Sequence, residues 1–272
     1  MRRHTVVVHA VLLVAALIVV VPFVWIAAAA FKTPIALLSG AFWFEPIWNN
    51  FHELLFTSTS EYLDNYLNSF VVGAASTLLD LVVATLAAYS IVRMGWPRWV
   101  VSAVLMWSIV FHMIPPITML GGWFTMFRSI GLVNTWTGLT LAHATLNLPL
   151  ALWIMSAFVR EVPVELEEAA RLDGCGTARL LWRVIVPLVR PGLAAAAILV
   201  FIFSWNEFPV ALTLTQKATA TVPVAIAKFA QEFEIQYTQM AAGAVLSVLP
   251  ALVLLIVGQR QIVRGLTAGA LK

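Results

Sequence analysis

The sequence predicts an all-α membrane protein of six transmembrane helices, with a cytoplasmic helix-turn-helix between the fourth and fifth. Two observations carry this. Of 272 residues, 61% are hydrophobic and only 11% charged, where a soluble domain carries roughly 25% charge. The mean hydropathy is +0.93. Charged residues are also spaced so that six stretches could each hold the roughly 20 apolar residues a bilayer requires.

The first span is placed at 5–31, which contains no Asp, Glu, Lys or Arg. Arg2, Arg3 and the small residues Ala28, Ala29 and Ala30 give it some character of a signal peptide. The apolar run is nevertheless far longer than the roughly 7 to 15 residues of a signal core, so a retained helix is expected. The second span, 65–92, has Asp80 as its only charge, and the third, 99–127, has none. Spans four, five and six are expected at 133–159, 191–215 (containing Glu207) and 237–259. Pro115 and Pro116 fall about halfway along the third span, and Pro22, Pro149 and Pro250 are expected to interrupt others.

Orientation follows from the basic residues, which are retained on the cytoplasmic side. With the amino terminus inside, the inner segments hold Arg2, Arg3, Arg93, Arg98, Arg160, Arg171, Arg179, Arg183, Arg190, Arg260, Arg264 and Lys272, twelve of the sixteen Lys and Arg. Lys32, Arg128, Lys217 and Lys228 remain outside. Both termini are therefore expected in the cytoplasm, with 1–272 forming one transmembrane domain, and the net charge of +3 needs no nucleic-acid partner. The expected setting is a lipid bilayer, crossed several times.

No lysine follows a glycine, so the phosphate-cradling Gly-Lys-Ser/Thr element is missing and this chain is not expected to bind ATP itself. A Gly-x-Ser-x-Gly elbow and a His-Glu-x-x-His pair are also absent. Cys175 is the single cysteine, and the five histidines are scattered. No catalytic, metal or cofactor residue is assigned.

The segment 160–190 is more than a connector. Pro163 is suited to opening a helix, Glu165, Glu167 and Glu168 complement its positive end, and Asp173-Gly174 ends it. Leu166, Ala169, Ala170 and Asp173 share one face. A second helix is expected from about Ala178, with Pro187 interrupting it and Arg179 and Arg183 one turn apart. Such a unit could read DNA, lie on lipid or dock into a protein. Five arginines balance five acids between Arg160 and Arg190, and this neutrality favours a protein cleft over phosphate or anionic lipid.

Glu168-Ala169-Ala170, three residues, Gly174, nine residues, then Val184-Ile185-Val186-Pro187 resembles the EAA loop of ABC importer permeases. The family pattern ends Ile-x-Leu-Pro, so Val184 and Val186 are conservative departures, and Cys175 replaces a usual alanine. Ser204-Trp205-Asn206-Glu207-Phe208, Ala211 to Thr215, Thr221 to Ala227, Met240 to Ala244 and the tail Arg264 to Lys272 are similar to the second permease subunit of maltose-type carbohydrate importers. The match is stronger in the carboxyl-terminal half.

That resemblance implies a type I importer fold, with 1–272 a single permease domain in a prokaryotic plasma membrane, and a complex. Its other members would be a homologous second permease, two ATP-binding subunits and an extracytoplasmic sugar-binding protein. ATP and Mg would be used by the partner ATPase, with no cofactor bound by this chain. Glu168, Ala169, Ala170, Asp173, Gly174 and Pro187 would couple to that ATPase, with Gly265 to Lys272 in support. The segment from about Gln216 to Tyr237 would face the binding protein, offering Lys217, Lys228, Glu232 and Glu234.

The intramembrane acids need a reason, since a carboxylate at mid-bilayer costs about 2.5 to 3.5 kcal/mol. Asp80 would either line the pathway or pack beside Ser76 and Thr77. Asn206 and Glu207 would contact sugar, the partner permease or cavity water. A proton-coupled transporter using Asp80 and Glu207 is the alternative from another class, and an importer for a non-sugar solute the alternative from the same one. The aromatics Trp43, Phe44, Trp48, Phe51, Tyr62 and Tyr66 read as an interfacial belt or as a sugar-stacking surface.

Overall fold

The computed structural model describes residues 2–230 and 235–267, with side chains for 5–230 and 235–259. Fourteen helices, α1 to α14, are found among them. Four are long and apolar enough to cross a membrane: α1 (Arg2–Ala29), α4 (Tyr62–Arg93), α7 (Trp136–Glu161) and α14 (Tyr237–Thr267). At about 1.5 Å per residue, the 32 residues of α4 reach about 48 Å, well over a hydrocarbon core.

The remaining two expected spans are bent pairs. Between α4 and α7, α5 (Arg98–Met113) and a 3-10 turn (Pro116–Met119) leading into α6 (Leu120–Ser129) are bent by 94° at the break. Ile114 and Pro115 take extended ψ values of 122° and 129°, because a residue preceding proline is pushed out of the helical region. The second pair, Thr177–Leu188 and α11 (Arg190–Trp205), is bent by 77°. The expected helix at 191–215 also stops at Trp205 and restarts as α12 (Pro209–Leu214). Pro22, Pro149 and Pro250 do not interrupt: each lies inside a continuous helix.

The chain forms two compact units. The first comprises Met1–Tyr66 and Val222–Leu249, including α2 (Pro34–Leu38), α3 (Asn49–Phe56) and α13 (Val222–Ala227). Thr33 caps α2 by accepting from the Ala36 amide at 3.2 Å, and Pro34 opens it. Phe31, Trp48 and Phe51 pack ring against ring at 5.0 to 5.9 Å. Asn50, buried, donates to the carbonyls of Ala30 and Lys32. The Tyr62 hydroxyl donates to the Gly243 carbonyl at 2.7 Å, and Gln239 to Glu53 at 2.8 Å.

Lys32, counted in an outer segment, is not a surface charge. It is 2% exposed, with Nζ 4.7 Å from the Trp25 ring centroid, 4.8 Å from that of Phe44, and donating to the Ala41 carbonyl at 2.7 Å. Two aromatic faces and a carbonyl solvate this ammonium in place of water. Phe44 is thereby a cation partner, whereas Trp43 is 96% exposed.

The second unit comprises Leu67–Thr221 and Pro250–Lys272. Its core joins Ala84, Ala88 and Tyr89 of α4 to Leu105 of α5, to Ala151, Met155 and Val159 of α7, and to Ala196 and Val200 of α11. Small residues allow close backbones. At Gly192 an added Cβ would lie 2.3 Å from Phe158 Cγ, so only glycine fits where α11 passes α7. Thr135 caps α7 by accepting from the Gly138 amide at 3.0 Å. Asn134, at φ 58°, ties the turn before α7 to the far end of α12. Its amide donates to the Leu214 carbonyl, and its Oδ1 accepts from Gln216 and Thr219.

Candidate coupling site and buried polar cluster

The segment between α7 and α11 is helical and punctuated where proline and glycine demand it. Pro163 precedes α8 (Val164–Leu172) as its N-cap rather than as its first helical residue. At the other end the Asp173 amide donates to the Ala169 carbonyl, and Gly174 follows at φ +81°, a left-handed conformation natural to glycine at a helix end. The second helix begins at Thr177 as α9 (Thr177–Leu180), passes through a π-helical stretch (Leu181–Ile185) and ends as α10 (Val186–Leu188). Pro187 has no amide hydrogen and its ring crowds the carbonyl four residues back, which accounts for the widened turn around Arg183.

Glu168, Ala169, Asp173 and Gly174 are exposed, Ala170 is half-buried against the core cluster, and Pro187 is half-buried. The outward surface is apolar as well as charged: Val164 and Leu166 are close to half exposed, and Leu172 is 89% exposed. Cys175 is half-buried.

Glu167 behaves differently from the helix-start acid it resembles. It is 4% exposed. Its Oε1 accepts from Arg93 Nε at 2.6 Å and its Oε2 from the Tyr89 hydroxyl at 3.2 Å. Arg93 Nη2 also donates to the Val159 carbonyl at 3.0 Å and to that of Val162. The last turn of α4, the end of α7 and α8 thus meet at one buried, hydrogen-bonded ion pair.

Further along α4 lies a second buried polar cluster. Ser76 Oγ donates to Ser204 Oγ at 3.0 Å, and Ser204 Oγ lies 2.7 Å from His143 Nδ1. His143 Nε2 lies 3.4 Å from Glu207 Oε2. Glu207 accepts from the amides of Val210 and Ala211, each at 2.9 Å, so its carboxylate caps α12. Asn206 is exposed, donates to the Ile202 carbonyl at 2.9 Å and closes α11. Of the residues expected at a pathway or interface, Glu207 is engaged within the second unit and Asn206 ends a helix.

Asp80 is 1% exposed, and its Oδ2 has no hydrogen-bond partner. Ser76 and Thr77 do not serve it: the Ser76 hydroxyl is engaged with Ser204, and that of Thr77 donates to the Gly73 carbonyl at 2.7 Å. His143 was missed by sequence reading, because a lone histidine in a helix gives no sign of what faces it 61 residues later.

In the first unit, a cavity of about 290 Å³ is lined by Glu53, Tyr62, Asn65, Lys228, Gln236 and Gln239 among others. Lys228 thus lines a polar recess. Lys217 is exposed, while Glu232, Glu234 and residues 268–272 lie outside the described residues. Among the described residues no three or more His, Cys, Asp or Glu are grouped to hold a metal.

The family described as binding-protein-dependent transport system inner membrane component matches residues 80–267. The chain belongs to this family. It is similar to the trehalose transport system permease protein SugB of Mycobacterium tuberculosis, 43% identical over 211 residues covering 76% of each chain. It is also similar to the trehalose/maltose transport system permease protein MalG of Thermococcus litoralis, 32% identical over all of this chain and 98% of the other. Among solved structures it resembles a chain of a bacterial ABC transporter that imports alginate, with a TM-score of 0.79, 22% identity, and 95% and 96% of the two chains covered. The importer-permease fold and the role of transport subunit rather than enzyme follow. Family membership also decides against a proton-coupled carrier built on Asp80 and Glu207.

Proposed function

We propose that this chain is one permease subunit of an ATP-driven sugar importer and that α8 is the element gripped by the partner ATPase. Its sugar class is inferred from relatives named for trehalose, maltose and diacetylchitobiose. One observation carries the docking assignment. A short helix closed by a left-handed Gly174 presents Glu168, Ala169 and Leu172 outward while Glu167 anchors it inward. The complex would also hold a second permease, two ATP-binding subunits using ATP and Mg, and an extracytoplasmic binding protein. Both termini would lie in the cytoplasm, and the segment following α13 would face the binding protein.

Coupling works as a population shift: ATP-closed ATPase subunits must hold one permease state better than the other. The test is reconstitution in vesicles with ATP inside and the binding protein outside. Glu168→Lys or Gly174→Asp should detach the ATPase or uncouple hydrolysis from uptake while the permease remains inserted. Transport at the unmodified rate in both variants would overturn the assignment.

A further inference from the structure

The docking reading leaves open how motion of α8 reaches the membrane helices. In sequence α8 connects only to α7 and α9, whereas α4 lies some 70 positions away. A buried ionic contact closes that gap. Glu167 gives both carboxylate oxygens to α4, one to Arg93 and one to Tyr89, while Arg93 also holds two carbonyls at the end of α7. The pair is 5% and 12% exposed at its side chains, so water cannot readily replace either partner. Removing one leaves an uncompensated buried charge. Arg171 adds a long contact of 3.5 Å to the Tyr89 hydroxyl from the same docking helix.

We propose that Glu167 and Arg93 form a latch that makes α8 and the end of α4 move as one body. Glu167 and Glu168, adjacent in sequence, then have separate tasks: Glu168 faces the ATPase, and Glu167 fastens the docking helix to the helix that must be displaced. Both are positioning residues. At its buried middle, α4 carries Ser76, bonded to Ser204 of α11, so displacement of α4 also bears on α11.

The proposal rests on the docking reading, and the experiment separates the two. Val164→Cys, at the exposed start of α8, and Met94→Cys, exposed just beyond α4, are spin-labelled in a Cys175→Ser background of the assembled importer. Their separation is measured by pulsed electron resonance without nucleotide and with ATP trapped by vanadate. With Glu167 present the separation should change by less than about 2 Å, the scale of small helix shifts. In Glu167→Gln, with the ATPase still bound, it should change by more than that or broaden on trapping. Arg93→Lys, which keeps charge but loses the fork, should give an intermediate change and serves where Glu167→Gln does not accumulate.

A separation constant in every variant, or changing equally in the unmodified latch and the variants, would overturn the proposal. So would loss of the ATPase on Glu167→Gln. Uptake at the unmodified rate in both Glu168→Lys and Gly174→Asp would instead count against the docking reading, and the two failures are distinguishable.

Discussion

Glu207 shows how a single side chain inside a membrane protein can be accounted for. Its carboxylate accepts two backbone amides at 2.9 Å and faces His143, so the cost of burying it is met by hydrogen bonds to a charged acceptor, each worth about 1.5–3 kcal/mol. Glu207→Gln leaves a single acceptor oxygen and should destabilise the purified subunit by about 1–3 kcal/mol, read as a lower unfolding midpoint in detergent, without loss of the ATPase. Gly192→Ala should cost a similar amount for a steric reason: its Cβ would stand 2.3 Å from Phe158, and overpacking typically costs about 1–3 kcal/mol. Unchanged melting of either variant would contradict these contacts. Glu165, Glu167 and Glu168 look interchangeable in the sequence, each an acid near a helix start. Only the arginine 74 positions earlier selects Glu167 for burial, and that pairing has no local signature.

At the scale of the element, α8 was the most legible part of the chain, because Pro163, the acids and Gly174 impose local geometry. The broken spans were not. A gap between charges measures apolar length but is blind to where backbone donors are missing: Pro115–Pro116 turns the chain by 94° within one such gap, and the helix expected over 191–215 ends at Trp205 and restarts at Pro209. Pro149, embedded in α7 and buried, shows that proline alone does not decide a break. The exposed apolar tip of α8 leads to a further expectation. Leu172, at 89% exposure, has the character of a residue buried on docking, and Leu172→Asp should weaken ATPase binding about tenfold or more, the effect of some 1.4 kcal/mol. Co-purification with a tagged ATPase at graded salt would check it, and undiminished recovery would exclude this side chain from the interface.

For the molecule as a whole, the first helix stands apart: none of its most apolar window is buried within the chain. Its surface must therefore be covered by lipid or by another subunit. The excess of Arg and Lys in alternate segments predicts that reporter fusions at both ends will be active only in the form that requires the cytoplasm. An extracytoplasmic signal from either terminus would reverse the topology.

The π-helical stretch at Leu181–Ile185 has a consequence for chain length. Each residue of an ordinary helix advances the azimuth by about 100°, and a widened turn accommodates one residue more than its neighbours do. Deleting the exposed Trp182 should therefore let the coil regularise while Arg179 and the residues before it keep their direction relative to Val189 and α11. Adding a residue between Gly174 and Pro187 should instead turn them by about 100°, so this spacing is a phase setting that tolerates the loss of the one residue the widened turn absorbs but not a further gain.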